Sequence, residues 1–162
     1  MQLTRKGEAV DVLETLPTVG EEAPAFSLKN INGETVSNES LKGNVVILSV
    51  FPDINTSVCD AQARSFNEKA AGIEGVKLVS VSTNTKEDLT SWCAAEGLEM
   101  EMLPEAKAFG EAFGIEMKSM GVLARSVFVI SQEGLLAYKE VVQEMVDEPN
   151  YDAAIEAAKD LL

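Results

Sequence analysis

The stretch VVILSVFPDINTSVCDAQARSFNEKAA, residues 45–71, decides the fold. Val45 to Phe51 is an unbroken apolar run, the pattern of a strand buried on both faces of a parallel sheet. Pro52 ends that strand, and Asp53, Ile54 and Asn55 form a short loop. Thr56 or Ser57 can then cap a helix that runs on toward Ala71. Cys59 falls in the first turn of this helix. Backbone N–H groups without intrahelical partners and the positive end of the helix dipole favour a thiolate there. Cys59, Ala63, Phe66, Ala70 and Ile73 also follow one another at helical spacing, and a cysteine on such a stripe reads as a small core hydrophobe as well.

Pro52, Thr56 and Cys59 spell Pro-x-x-x-Thr-x-x-Cys on a strand, loop and helix. The pattern resembles the active-site motif of the peroxiredoxins. The longer string FPDINTSVC, followed by AQARSFNEKAA, is similar to the thiol peroxidase branch of that family, and the resemblance extends along nearly the whole chain. It implies that Cys59 attacks a peroxide oxygen and becomes a sulfenic acid. Attack on an O–O bond expels alkoxide or hydroxide, so donors are needed where that charge grows. The Thr56 hydroxyl, one turn before Cys59, is placed to reach both the sulfur and a bound peroxide. Pro52 lacks an N–H and fixes its own backbone, which suits a shield over the loop. The family takes an arginine from a strand distant in sequence. The matching segment is GVLARSVFVIS, which makes Arg125 the candidate; by itself Arg125 reads as a surface arginine at a strand start.

The resemblance also assigns Cys93, in KEDLTSWCAAE, as a resolving thiol that forms a disulfide with Cys59 within one subunit and expels water. From the residues alone, Leu89, Trp92, Cys93 and Glu96 make an ordinary packed helix face. Two cysteines anchored in separate helices cannot bring their Cα atoms within about 7 Å without movement, so oxidation is expected to unwind part of the helix around Cys93, the turn before Cys59, or both. The family implies thioredoxin as reductant, a homodimer, and no metal, flavin or haem. Hydrogen peroxide or a small alkyl hydroperoxide is the expected substrate, with Phe51, Ile54 and Val58 inclining it toward alkyl. Such a nucleophile has to be a sulfur that solvent reaches. Asn55 stands where many relatives carry Asp, and the charge of Asp60 slightly disfavours a neighbouring thiolate. STNTKEDLTSW and LPEAKAFGEAFG depart from the family pattern more strongly, so the peroxidatic half matches better than the resolving half.

Composition narrows the chemistry. The chain holds 162 residues and no histidine, which removes Ser-His-Asp and Cys-His catalysis and every histidine-containing zinc site. If Cys59 reacts, it is activated without an imidazole base. A formal charge of −14 argues against nucleic acid or an anionic membrane as partner. No segment approaches transmembrane length, and MQLTRKGEAV has no apolar h-region. Two cysteines suggest redox use in a reducing compartment, read as the cytoplasm. A disulfide oxidoreductase of the same fold would use Cys-x-x-Cys, which is absent; a redox-sensing or binding domain whose cysteines pair but turn over slowly is the other alternative.

The rest of the chain reads in order. Residues 2–12 form a small hairpin around Lys6-Gly7, and 26–29 with 34–36 form another through Asn32-Gly33. Glu39 to Leu41 makes one helical turn. Val76 to Ser82 is a strand, 86–96 a helix stopped by Gly97, and Phe109 to Phe113 a short helix. Ser126 to Ser131 and Leu135 to Val142 pair across Gln132-Glu133-Gly134, and a last helix carries Tyr151, Ala154, Ile155, Ala158 and Leu161 or Leu162 on one face. No linker divides residues 1–162, so one domain is expected. Strands alternating with helices give the α/β class. With the resemblance, this implies a thioredoxin-like fold: a central mixed sheet flanked by helices, with an N-terminal hairpin.

Overall fold

Residues 1–162 are described by a computed structural model. The chain begins with β1 (Gln2–Arg5) and β2 (Glu8–Val12), an antiparallel hairpin whose turn residues Lys6 and Gly7 both hold positive φ. That is the geometry a two-residue hairpin turn requires. β3 (Ser27–Lys29) and β4 (Thr35–Ser37) form a second hairpin, and α1 (Asn38–Leu41) starts in a reciprocal cap between Ser37 and Ser40. Then come β5 (Val45–Val50), α2 (Ser57–Ala70), β6 (Val76–Val81), α3 (Lys86–Glu96), β7 (Glu101–Leu103) and α4 (Lys107–Phe113). The order ends with β8 (Glu116–Met117), β9 (Val122–Leu123), β10 (Ser126–Ile130), β11 (Leu136–Val141) and α5 (Tyr151–Lys159).

Five strands build one mixed sheet in the order β11-β10-β5-β6-β7. β5 lies at its centre, parallel to β6 on one side and antiparallel to β10 on the other. All six of its residues are buried, as its unbroken apolar run requires. Successive side chains go to opposite faces. On one face Val45, Ile47, Val127 and Val129 meet Phe66 and Ala70 of α2 and Ala154, Ile155 and Ala158 of α5. On the other, Val46, Leu48, Val50, Phe128 and Ile130 meet Phe26, Phe109 and Phe113. Phe109 and Phe113 stack with ring centroids 4.1 Å apart, and Phe26 meets both edge-on.

Both hairpins, the strand–loop–helix of residues 45–70, α3 and the closing β10–β11 pair fall where the sequence places them. β7, β8 and β9 do not figure in the sequence pattern. They are too short to set a period, and no Asn-Gly turn marks them as Asn32-Gly33 marks β3 and β4. β7 matters here because it adds a parallel edge strand beside β6. The segment from Met100 into that strand helps enclose a third apolar cluster: Phe51, Ile54, Cys59, Ala63, Leu89, Cys93, Met100 and Met102. Both cysteines belong to this cluster, one from α2 and one from α3. No helix is long and apolar enough to cross a membrane.

Candidate active site

The end of β5 and the start of α2 position the first thiol. Pro52 is buried directly after the strand, and the chain turns on the carbonyl of Asp53. That oxygen accepts from the Thr56 N–H at 3.0 Å and from the Thr56 hydroxyl at 2.7 Å, while Asp53 Oδ1 accepts from the Asn55 N–H at 3.0 Å. The turn points the Asp53 N–H at Cys59 Sγ, 3.4 Å away. A side chain from the far side of β6 pins the same loop. Asn84 accepts from the Ile54 N–H at 2.9 Å and donates to Asp53 Oδ1 at 2.9 Å.

Arg125 completes the surroundings of the sulfur. It sits just before β10, is 3% exposed, and brings Nη1 to 3.4 Å from Cys59 Sγ. Its Nε and Nη2 fork onto the Met145 carbonyl at 3.2 and 2.8 Å. Nη1 also donates to Gln62 Oε1 at 3.0 Å, and Gln62 in turn donates to Ser49 Oγ and the Val50 carbonyl. Gln62 is fully buried one turn after Cys59, and the sequence reading missed it. A glutamine on the same helix face as Cys59, Ala63 and Phe66 was the available signal. None of the ion pairs in the molecule includes Arg125, and its hydrogen-bond partners are two neutral oxygens and the sulfur. Leaving a guanidinium buried without a counter-charge costs several kcal/mol. An ionised Cys59 would supply that charge.

Several expectations are corrected. Arg125 is not a surface residue, because the Met145 carbonyl and Gln62 hold it inside. Thr56 occupies the N-cap position but caps no amide, and its hydroxyl does not reach the sulfur, being turned back onto the Asp53 carbonyl. Cys59 is 0% exposed rather than open to solvent, since the loop pinned by Asn84 closes over it. Phe51 and Ile54 pack into the cluster under α3 and offer no substrate surface; Val58 alone of the three keeps some exposure. A groove of about 380 Å³ lies beside the first turn of α2, lined by Ser57, Val58 and Ala61 against Val146, Asp147 and Glu148, and Cys59 is not in its wall. The expected negative charge of Asp60 next to Cys59 stands, and it is shared with α3 and Arg64. Burial pushes its carboxyl up, but hydrogen bonds from Arg64 and Trp92 outweigh this and hold it below the usual range.

Cys93 lies near the C-terminal end of α3. Gly97, in the left-handed conformation at φ 67°, closes that end, and the Cys93 carbonyl accepts the Leu98 N–H at 3.0 Å. Its thiol is 7% exposed and points at the Met102 thioether, Sγ to Sδ 3.5 Å. Burial pushes this thiol's pKa up, partly offset by the Met100 backbone N–H. The two cysteines are unpaired.

A buried thiol at a helix start facing an uncompensated guanidinium, with a second free thiol in the next helix, is an arrangement for sulfur redox chemistry. The AhpC/TSA family model matches residues 19–139. The chain belongs to the AhpC/TSA family. It is 43% identical to the thiol peroxidase of Listeria innocua over 161 residues, which is 98% of either chain. Against the thiol peroxidase of Bacillus subtilis it is 41% identical over 164 residues, covering 99% of this chain and 98% of that one. The crystal structure of a peroxiredoxin-like protein from Aquifex aeolicus matches with a TM-score of 0.91 at 28% identity, over 99% of this chain and 97% of that one. The AhpC/TSA assignment agrees with the resemblance carried by FPDINTSVC and makes the chain a peroxidase of the peroxiredoxin family. The mixed sheet with its flanking helices and N-terminal hairpin is the thioredoxin-like fold.

Proposed function

We propose that the chain reduces hydrogen peroxide or a small alkyl hydroperoxide with Cys59 as nucleophile, Cys93 as resolving thiol and thioredoxin as reductant. One observation carries this reading: the buried Arg125 guanidinium stands 3.4 Å from Cys59 Sγ with no carboxylate to balance it. In the first step the Cys59 thiolate attacks one peroxide oxygen. The O–O bond breaks, its electron pair leaves on the other oxygen, and that oxygen takes up a proton. Arg125 Nη1 and the Asp53 N–H both lie 3.4 Å from the attacking sulfur, beside which the charge on the leaving oxygen grows. Pro52 contributes rigidity to the loop that carries Asp53. Thr56 has its hydroxyl on the Asp53 carbonyl, so it acts on the sulfur through that turn unless the loop moves. Cys93 then attacks the sulfenic acid, water leaves, and a reducing dithiol restores both thiols.

Because no solvent reaches Cys59 Sγ in this closed arrangement, peroxide entry requires displacement of the 52–58 loop. Restoring the dithiol state calls for a reducing compartment, and the cytoplasm fits. A homodimer meeting near this loop belongs to the same proposal and is tested by sedimentation. The direct test adds one equivalent of peroxide to reduced protein, counts free thiols, and follows peroxide loss with thioredoxin and its reductase. Both thiols should disappear together and turnover should continue. Cys59→Ser should abolish the reaction, while Cys93→Ser should consume one equivalent and stop as sulfenic acid, which only a second equivalent carries on to sulfinic acid. Thiols that stay inert to peroxide would sink the reading, and pairing without turnover would make the chain a sensor.

A further inference from the structure

The residues beside the two cysteines are bonded to each other. Asp60 follows Cys59 in the first turn of α2, Trp92 precedes Cys93 in α3, and Trp92 Nε1 donates to Asp60 Oδ1 at 2.7 Å. Arg64, one turn further along α2, donates Nε to Asp60 Oδ2 at 2.8 Å and reaches Glu96, the last residue of α3, at 2.7 Å. Two pins therefore tie α2 to the C-terminal end of α3, one on each side of Cys93. The same end is closed by Gly97 through the carbonyls of Cys93 and Ala94.

We propose that Asp60, Arg64, Trp92 and Glu96 form a clasp that sets how readily the last turn of α3 opens, and so decides whether a Cys59 sulfenic acid is closed into a disulfide or oxidised further. The inference rests on the reading of Cys59 as nucleophile and Cys93 as resolving thiol. Two helical cysteines need movement before a disulfide can form, and the last turn of α3, which carries Cys93, is the element this clasp holds in place. In resolution the Cys93 sulfur attacks the Cys59 sulfur and the S–O bond breaks. Hydroxide leaves and takes the thiol proton as water, with no outside oxidant. While the clasp holds, the sulfenic acid waits, and a second peroxide can insert another oxygen to give sulfinic acid and water. The Trp92 pin is the stronger of the two, being a charge-assisted bond between half-buried groups. The Arg64–Glu96 pin is nearer solvent and correspondingly weaker.

The test uses the full reduced chain, hydrogen peroxide and acid-quenched mass analysis of the Cys59 products. Trp92→Phe keeps the ring and removes the N–H. It should form the Cys59–Cys93 disulfide about tenfold faster and need about tenfold more peroxide for half conversion to sulfinic acid. Glu96→Gln, which keeps the shape of the side chain and removes its charge, should give about a twofold shift in the same direction. Amide exchange should quicken in the last turn of α3 and stay unchanged in β5. First-equivalent peroxide consumption, measured with Cys93→Ser added, should be unaltered, which a general loss of structure would not leave intact. If either variant folds, and disulfide formation and peroxide tolerance match the parent, the clasp is wrong while the peroxidase reading stands. If the parent chain makes no Cys59–Cys93 disulfide, both fall.

Discussion

The two thiols are both free and both buried, yet what buries them differs in kind. Around Cys59 water is replaced by the Asp53 N–H and the Arg125 guanidinium, groups that can hold negative charge on sulfur. Around Cys93 it is replaced by Leu89, Met100 and the Met102 thioether, and burial pushes that thiol up. The same loss of solvent therefore leaves the two sulfurs with different neighbours, hydrogen-bond donors at one and apolar groups at the other. A sulfur with donors around it is equipped to attack, whereas one among apolar groups waits until it is uncovered. The split matches a cycle in which one thiol must meet peroxide first and the other must act second.

The sharpest way to break this contrast is to remove the cation. Arg125→Ala should slow consumption of the first peroxide equivalent by about a hundredfold or more, the size expected when a charge-stabilising donor is lost. Closure of a preformed sulfenic acid onto Cys93 should keep its rate. Arg125→Lys should recover part of the attack rate but not all, since an ammonium cannot hold the Met145 carbonyl in a fork and still face the sulfur. An unchanged attack rate in Arg125→Ala would mean that the two thiols do not differ for the reason given.

How far this contrast could be read from sequence depended on how local each signal was. The strand, the loop and the helix start that place Cys59 are neighbours in the chain, so an apolar run, a proline and capping residues locate them. Arg125 lies far from Cys59 in sequence, and only likeness to a family connected the two; no periodicity links them. Asn84, 31 residues from Asp53, left no trace, and with it went the closure of the loop over the sulfur. An isolated helix start is open to water, and it takes a partner from another element to cover it. Thr56 shows a different failure. The capping rule sends its hydroxyl forward to an amide of the helix, whereas the Asp53 carbonyl, three residues back, competes successfully. Gln62 was legible in principle, as the one polar side chain on the face of Cys59, Ala63 and Phe66.

Gln62 gives a gentler cut into the same contrast. Gln62→Leu keeps the volume of the side chain but leaves Arg125 Nη1 with one acceptor fewer and strips Ser49 Oγ of its donor. An unsatisfied buried group costs about 1–3 kcal/mol, so the variant should melt earlier and attack peroxide about tenfold more slowly. Its alkylation at Cys93 after mild denaturation should follow the parent. A variant that loses stability but attacks at the parent rate would show that Gln62 supports the fold without orienting the guanidinium.

The smallest expected effect comes from the farthest support of that guanidinium. Met145, whose carbonyl holds the Arg125 fork, is flanked by Glu144, and the Glu144 carboxylate gathers four donors. These are the N–H groups of Gly7, Val146 and Lys6 and the hydroxyl of Thr4. The Met145 N–H completes the link by donating to the Thr4 carbonyl at 2.8 Å, so the N-terminal hairpin and the arginine anchor are one assembly. The Gly7 bond first, then those from Val146, Lys6 and Thr4, bring the Glu144 carboxyl from an ordinary 4.5 down to about 2. A carboxyl lowered on folding stabilises the fold fully above its ordinary pKa and loses that contribution as pH falls through its folded value. Glu144→Gln should therefore lower Tm at neutral pH, and the gap to the parent should close as pH drops from about 4.5 toward 2. Peroxide attack at neutral pH should fall about twofold, in keeping with an exposed polar contact acting at one remove, and resolution by Cys93 should not change. A gap that stays constant across this pH range would separate the hairpin anchor from the charge on Glu144, and with it from the guanidinium that distinguishes Cys59 from Cys93.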